Sequence, residues 1–243
     1  MKALAPLSAV AFRRSFRDGD VVASIGAPIL IFLGFYLPLH TTLPDYAGYL
    51  LPMAVLQGIF FDAIVSANNA GREVGLAVQD RVLSLPIPRS LPALARLAPV
   101  IPRSLIAVAS GFLAAYVAGF RWHGTFLSFL AFILLPVLLG LGLAMLTDAF
   151  GQLLGHAEAG QVLVVPQMLL IMVSTGLVPA SDFPTWLRPF AEHQPVSQWI
   201  DTMRGWATTS HTDSTFPAVA WLVAVLVCGV IALLAAGVRE ARR

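Results

Sequence analysis

Six apolar runs constrain this chain more than anything else in it: Val21 to Leu39, Ala47 to Ala67, Leu97 to Phe120, Phe126 to Leu146, Gln161 to Val178 and Phe216 to Val238. A helix needs about 20 apolar residues to cross the hydrocarbon core of a bilayer, and each run meets or approaches that length. The runs are continuously apolar, whereas the strands of a membrane barrel alternate over about ten residues. The sequence therefore predicts an all-α integral membrane protein with six transmembrane helices in one domain over residues 1–243. Only 12% of residues are charged, about half the usual share for a soluble domain.

What interrupts the runs is as informative. Gly71 to Arg96, GREVGLAVQDRVLSLPIPRSLPALAR, is a charged, Pro-punctuated island carrying Arg72, Arg81, Arg89 and Arg96. An arginine at the bilayer centre costs on the order of 3 kcal/mol or more, so water or a soluble partner faces this loop. A short helix bounded by Gly75 and the Pro86/Pro88 pair would move as one stiff piece. Its charges would set register, while Val78, Val82 and Leu83 would supply buried anchors. The plainer reading is that the arginines only enforce topology, although topology does not require the Pro-x-Pro stop.

An even number of spans puts both ends on one side. With the ends inside, Lys2, Arg13, Arg14, Arg17, the loop arginines, Arg103, Arg239, Arg242 and Arg243 are cytoplasmic, leaving Arg121, Arg188 and Arg204 outside. Trp122, Trp186, Trp199, Trp206 and Trp221 then all fall near the outer face, as interfacial aromatics should. Arg103, near the start of its span, is expected to snorkel to the headgroups. Residues 1–17 read as a retained amphipathic helix on the inner leaflet or as a frayed basic tail, and Asp18 or Asp20 as a cap for the first span. The outer segment 179–214 is expected to fold back as two short re-entrant or interfacial helices, one opened by Pro184 and one by Pro195. An outer cap that only seals the spans is the simpler alternative.

Several chemistries have no residues to carry them. There is no G-x-x-x-x-G-K-[ST] phosphate loop and no H-E-x-x-H, the five histidines are scattered, and Cys228 has no second cysteine. No metal, no cofactor held by this chain, no nucleic-acid partner and no enzymatic activity are expected. The polar groups in or near the spans are Gln57, Asp62, Asn68, Asn69, Asp148, Gln167 and Ser174. Asp62 is the foremost, as part of a substrate path, as a polar contact to a neighbouring helix, or as a carboxylate at the inner interface. Asp62 and Asp148 would form a protease-like pair only if their helices met. Leu56, Gln57, Phe60, Phe61, Asp62, Met168 and Met172 are candidates for an adaptable substrate cavity, with an ordinary helix-packing face as the competing reading. Gly151 and Gly155 are spaced to let helices approach closely.

The chain resembles the type 2 permeases of the ABC transporter superfamily, in particular the branch typified by daunorubicin/doxorubicin exporters. The resemblance rests on REVGLAVQDRVLSLPIPRS after the second run and STGLVPASDFPTWLRPFAEHQPVSQWIDTMRGW after the fifth, placed on opposite faces. It implies a multi-pass subunit of a bacterial plasma membrane that pairs with a second permease, itself or a relative. It further implies two cytoplasmic ATP-binding subunits holding ATP and Mg, and export of hydrophobic or amphiphilic compounds through lipid-embedded helices. In such a protein Arg72, Glu73 and Gly75 open the ATPase-coupling segment, Asp80 and Arg81 form its middle, and Leu83, Ser84, Leu85, Pro86, Arg89 and Ser90 close it. Ala77, Pro92 and Pro99 depart from that pattern and leave the length of its helix open. The second and fifth spans would line the axis shared by two copies. An ATP-independent transporter or channel and an intramembrane enzyme are the alternatives from other classes.

Overall fold

A computed structural model describes residues 19–41, 45–75, 90–208 and 214–241. Among these residues five helices are long and apolar enough to cross a membrane. They belong to α1 (Asp20–Leu39), α2 (Tyr46–Gly75), the pair α3 (Ser90–Leu97) and α4 (Val100–Val117), α5 (Phe126–Leu154) and α9 (Thr215–Ala241). Between α5 and α9 lie a 3-10 turn (Ala159–Leu163), α6 (Val164–Met172), a second 3-10 turn (Ala180–Asp182), α7 (Arg188–His193) and α8 (Pro195–Thr208).

The expected fifth span, Gln161 to Val178, differs from the rest. Its apolar helix runs only from Ala159 to Met172, about 21 Å at helical rise, and beyond Met172 the chain is no longer helical. Ser174 and Thr175 supply the reason. The Ser174 hydroxyl donates to Ile171 O (2.6 Å) and the Thr175 amide donates to Ser197 Oγ (3.1 Å), so side chains replace the helical ladder. The segment is nevertheless tied along α2. Gly160 N donates to Asn68 Oδ1 (2.8 Å) near one end of that helix, and the Tyr49 and Tyr46 hydroxyls donate to Thr175 O (2.8 Å) and Leu177 O (3.2 Å) at the other.

α2 is the central element, and its neighbours explain why. Leu50, Leu51, Ala54, Val55, Leu56 and Ile59 are fully buried, in a cluster that takes in Phe32 of α1, Ala107 of α4, Phe132 and Leu139 of α5, and Ile200 of α8. Between helices in lipid the hydrophobic effect offers little, so close fit and small residues must hold the bundle. Gly151 of α5 meets the backbone of α2 at Ala67, where any side chain would collide with the Ala67 carbonyl. Gly155 has a different role from the helix approach expected of it. It takes the left-handed conformation (φ 66°) and ends α5, its N–H returning to Gly151 O at 2.9 Å.

α1 and α9 hold the opposite balance: Val22, Leu30, Leu37, Phe216, Ile231 and Leu234 are each more than half exposed, as suits faces against lipid. α1 does not start with the expected cap. Gly19 (φ 83°) precedes it without a side-chain bond, and Asp20 turns inward instead. Asp18 lies outside the described residues, as does the 1–17 segment. The helix expected after Pro195 is present, with Val196, Trp199, Ile200 and Met203 all buried. That expected after Pro184 begins at Arg188, and Trp186 stands 78% exposed before it.

Candidate functional site

The charged side chains gather at the two ends of the bundle. One end, called here the loop end, is where α2 ends and α3 begins. Of the residues expected to couple to an ATPase, Arg72 and Glu73 occupy the last turn of α2 and Gly75 ends it. Val78, Asp80, Arg81, Val82, Leu83, Ser84, Pro86 and Arg89 lie outside the described residues.

On the far side of the loop, α3 sets Arg96 between two carboxylates. Arg96 Nε and Nη2 donate to Asp148 Oδ1 (2.8 Å) and Oδ2 (3.0 Å) on α5, and Nη1 donates to Glu73 Oε2 (3.4 Å) on α2. The two-pronged contact uses the planar fork that only arginine presents. Gln152, one turn after Asp148, donates to the same Asp148 Oδ2 at 2.6 Å. Leu97 lies beside Ala144 of α5 in a small apolar cluster with Val100, which seats α3.

A second arginine sits deeper. Arg103 does not snorkel: it is 3% exposed. Its Nη1 donates to Asp20 Oδ2 (3.3 Å) on α1 and its Nη2 to Ser66 Oγ (3.3 Å) on α2. Arg103 Nε faces Asp62 Oδ1 at 3.8 Å, an electrostatic contact too long for a hydrogen bond, so Nε and Asp62 Oδ2 both lack a hydrogen-bond partner. Ser24 of α1 donates to Asp62 Oδ1 (2.7 Å), and Asn69 donates to Asp20 Oδ2 (3.2 Å). Asp62 is thus a polar contact between helices, 2% exposed, rather than a group at an interface. An isolated charge in such surroundings would be far too costly, which accounts for the convergence of α1, α2 and α4 on it. Asp62 and Asp148 engage different arginines and share no reacting geometry.

The opposite, far end is built around Arg204 of α8. It donates to Asp201 Oδ1 (2.7 Å), to Tyr49 O (3.3 and 3.1 Å) and to Thr175 O (3.2 Å), and its guanidinium lies 3.5 Å from the Tyr49 ring centroid. The Thr175 hydroxyl donates to Asp201 Oδ1 at 3.0 Å. Burial raises the Asp201 pKa, against the pull of Arg204 and the Thr175 hydrogen bond. Burial also lowers that of Arg204, which remains charged because an arginine titrates above the range of proteins. Trp199 and His123 join neighbouring elements there, donating through Nε1 to Ala218 O (3.0 Å) and through the backbone N–H to Ala207 O (3.2 Å).

The residues expected to line a substrate cavity divide between two settings. Leu56, Gln57, Phe60 and Asp62 are buried in or beside the α2 core, and Phe61 is half-buried. Met168 and Met172 on α6 are 45% and 62% exposed. Gln57 Nε2 and Gln167 Nε2 are buried without a partner. No group of three or more metal-ligating side chains occurs among the described residues.

Sequence reasoning missed the pairings at both ends. A charge inside an apolar run needs a partner, and Arg103 and Asp62 were visible as such charges, whereas Asp20, just before its run, read as a cap. Their meeting follows from helix packing across gaps of 41 and 83 positions, which spacing does not reveal.

Against this geometry, comparison with known proteins is consistent. Residues 35–236 match the family described as "ABC-2 family transporter protein". The chain is 31% identical over 222 residues to the doxorubicin resistance ABC transporter permease protein DrrB of Mycobacterium tuberculosis, covering 86% of this chain and 76% of that protein. It is 29% identical over 197 residues to the probable doxorubicin resistance ABC transporter permease protein DrrC of the same organism, covering 77% and 71%. The daunorubicin resistance ABC transporter permease protein DrrB1 of Streptomyces coeruleorubidus is 22% identical over 196 residues, covering 79% and 66%. With its apolar helices and a family match over most of its length, this multi-pass membrane protein belongs to the ABC-2 family of transporter proteins.

Proposed function

We propose that this chain is the membrane-spanning permease of an ATP-driven exporter of hydrophobic or amphiphilic compounds, with ATP hydrolysed by a separate cytoplasmic subunit. The family match over residues 35–236 carries this reading, and the doxorubicin- and daunorubicin-resistance names of three relatives direct it toward amphiphilic drugs. The sequence has no phosphate loop, so the energy comes from another chain. Two permeases and two ATP-binding subunits make the working unit.

Six crossings place both termini in the cytoplasm in this reading. Residues 159–178 make the sixth crossing as a broken helix. Support comes from their contacts along α2, from Asn68 to Tyr46, about 33 Å of helix. Residues 179–208 then form an outer re-entrant layer. The arginine distribution supports the same orientation.

Residues 71–96 are the docking segment. Arg72, Glu73, Gly75, Asp80, Arg81 and Arg89 set its register, and Val78, Val82 and Leu83 anchor it. Ser84 and Pro86 belong to its exit. Leu56, Gln57, Phe60, Phe61, Asp62, Met168 and Met172 belong to the path of the substrate once nucleotide binding rearranges α2 and α6.

Purification of the tagged chain from its native membrane tests the reading. An ATP-binding subunit is expected to accompany it, and Glu73→Arg or Arg81→Glu should weaken that association while leaving insertion intact. Repeated purification without such a subunit would overturn the proposal.

A further inference from the structure

The loop between α2 and α3 has two arms, and one side chain touches both of them and a third helix. Arg96, on the outgoing arm, reaches Glu73 on the incoming arm at 3.4 Å and grips both oxygens of Asp148 on α5 at 2.8 and 3.0 Å. The Arg96 and Asp148 side chains are 11% and 3% exposed, so little solvent screens the pair. Seven residues further on, Arg103 repeats the pattern, between Asp62 of α2 and Asp20 of α1. α5 and α1 have no direct chain connection to the loop; the arginines provide one.

We infer that Arg96 is a positioning residue for transport: it locks the two arms of the loop together and hands their displacement to α5 through Asp148. The inference rests on the permease reading and adds to it the route by which motion leaves the loop. Two features of the geometry support it. A helix pushed at one end moves its neighbour only through contacts that resist shear, and a two-pronged guanidinium–carboxylate pair fixes both distance and orientation. The pairing also has an apolar contact beside it, because α3 is eight residues long and its Leu97 packs against the same helix, α5. α5 in turn lies backbone-close to α9, where Gly229 faces Gly142 O. A push on the loop therefore has a path to α9 through α5, in addition to the packing of α2 on α5.

The test uses the permease purified with its ATP-binding subunit and placed in vesicles, with doxorubicin as transported probe. ATP hydrolysis and probe transport are read from the same samples. Arg96→Gln is expected to lower transport more than hydrolysis, so that the ATP consumed per probe moved rises about 3- to 30-fold. Arg96→Lys, a point charge without the fork, should fall between the two. The exchanged pair Arg96→Asp with Asp148→Arg should recover part of the transport lost in Arg96→Gln. If Arg96→Gln does not insert, Glu73→Gln, which leaves the Asp148 contact in place, must raise the ATP consumed per probe moved. A proportional loss of hydrolysis and transport, or an unchanged ratio in both variants, would overturn the inference. Failure of the unaltered complex to move any probe or to hold an ATP-binding subunit would instead strike the permease reading.

Discussion

The loop end and the far end are both organised by buried arginines, but they hold them differently. At the loop end Arg96 and Arg103 face carboxylates on other helices: Glu73, Asp148, Asp20 and Asp62. At the far end Arg204 has one carboxylate, on its own helix, and otherwise holds the main-chain carbonyls of Tyr49 and Thr175 and the Tyr49 ring. The loop-end pairs tie side chains of five different helices to one another, whereas the far-end contacts tie α8 mainly to the backbone of its neighbours. In the proposed account the loop end transmits displacement between helices, while the far-end contacts hold α8 and the broken 173–178 segment against α2.

The largest break in this contrast comes from Arg103. Arg103→Met leaves Asp62 and Asp20 without their shared cation, and the stability loss should reach about 3–5 kcal/mol, read by thermal unfolding in detergent. Adding Asp62→Leu to Arg103→Met should recover a large part of it, since the charge left behind is then also gone. Arg204→Ala ranks next, at about 2–3 kcal/mol, because two carbonyls and a carboxylate lose a charged donor. Arg204→Lys should recover less than half of that, since a single ammonium cannot span Asp201, Tyr49 and Thr175 together.

Gly151→Ala sharpens the comparison without touching charge. Its methyl group would meet Ala67 O, so α5 must withdraw from α2 at about 1–2 kcal/mol, and unfolding curves should shift while far-end variants keep their own effects. Smaller again is Glu73→Gln. The Glu73 side chain is 20% exposed and Arg96 keeps Asp148, so stability should change by under about 1 kcal/mol. The same substitution should alter coupling more than stability.

The smallest effect is a pH dependence at the far end. Asp201 has a pKa raised by burial above its ordinary 3.8. The folded state then binds more protons than the unfolded one between those values, so stability falls as pH rises through that window. Relative to Asp201→Asn, the unaltered protein should gain stability as pH drops through it, measured by parallel melts. A flat difference would remove Asp201 as the titrating group.

Much of this arrangement was legible in the sequence. Continuous apolar runs marked α1, α2, α4, α5 and α9, because length and hydropathy decide what lies in lipid. The buried face of α8 followed from the spacing of Val196, Trp199, Ile200 and Met203. The broken helix at 159–178 was not legible, since its residues are as apolar as the others. What stops it is Ser174 and Thr175 bonding to Ile171 O and Ser197, a contact with a helix that follows more than 20 residues later. Arg103 misled for a related reason. Its place near the start of a run suggested reach to the headgroups, but its partners come from α1 and α2, and only the packed bundle brings them together.

Export under ATP control tests the central claim most directly. Under the proposed function, cells carrying this chain with an ATP-binding subunit should accumulate less of an amphiphilic probe than cells carrying it with a subunit whose ATP site is inactivated. Loss of export with the inactive subunit is the predicted result; export undiminished by that inactivation would contradict the account.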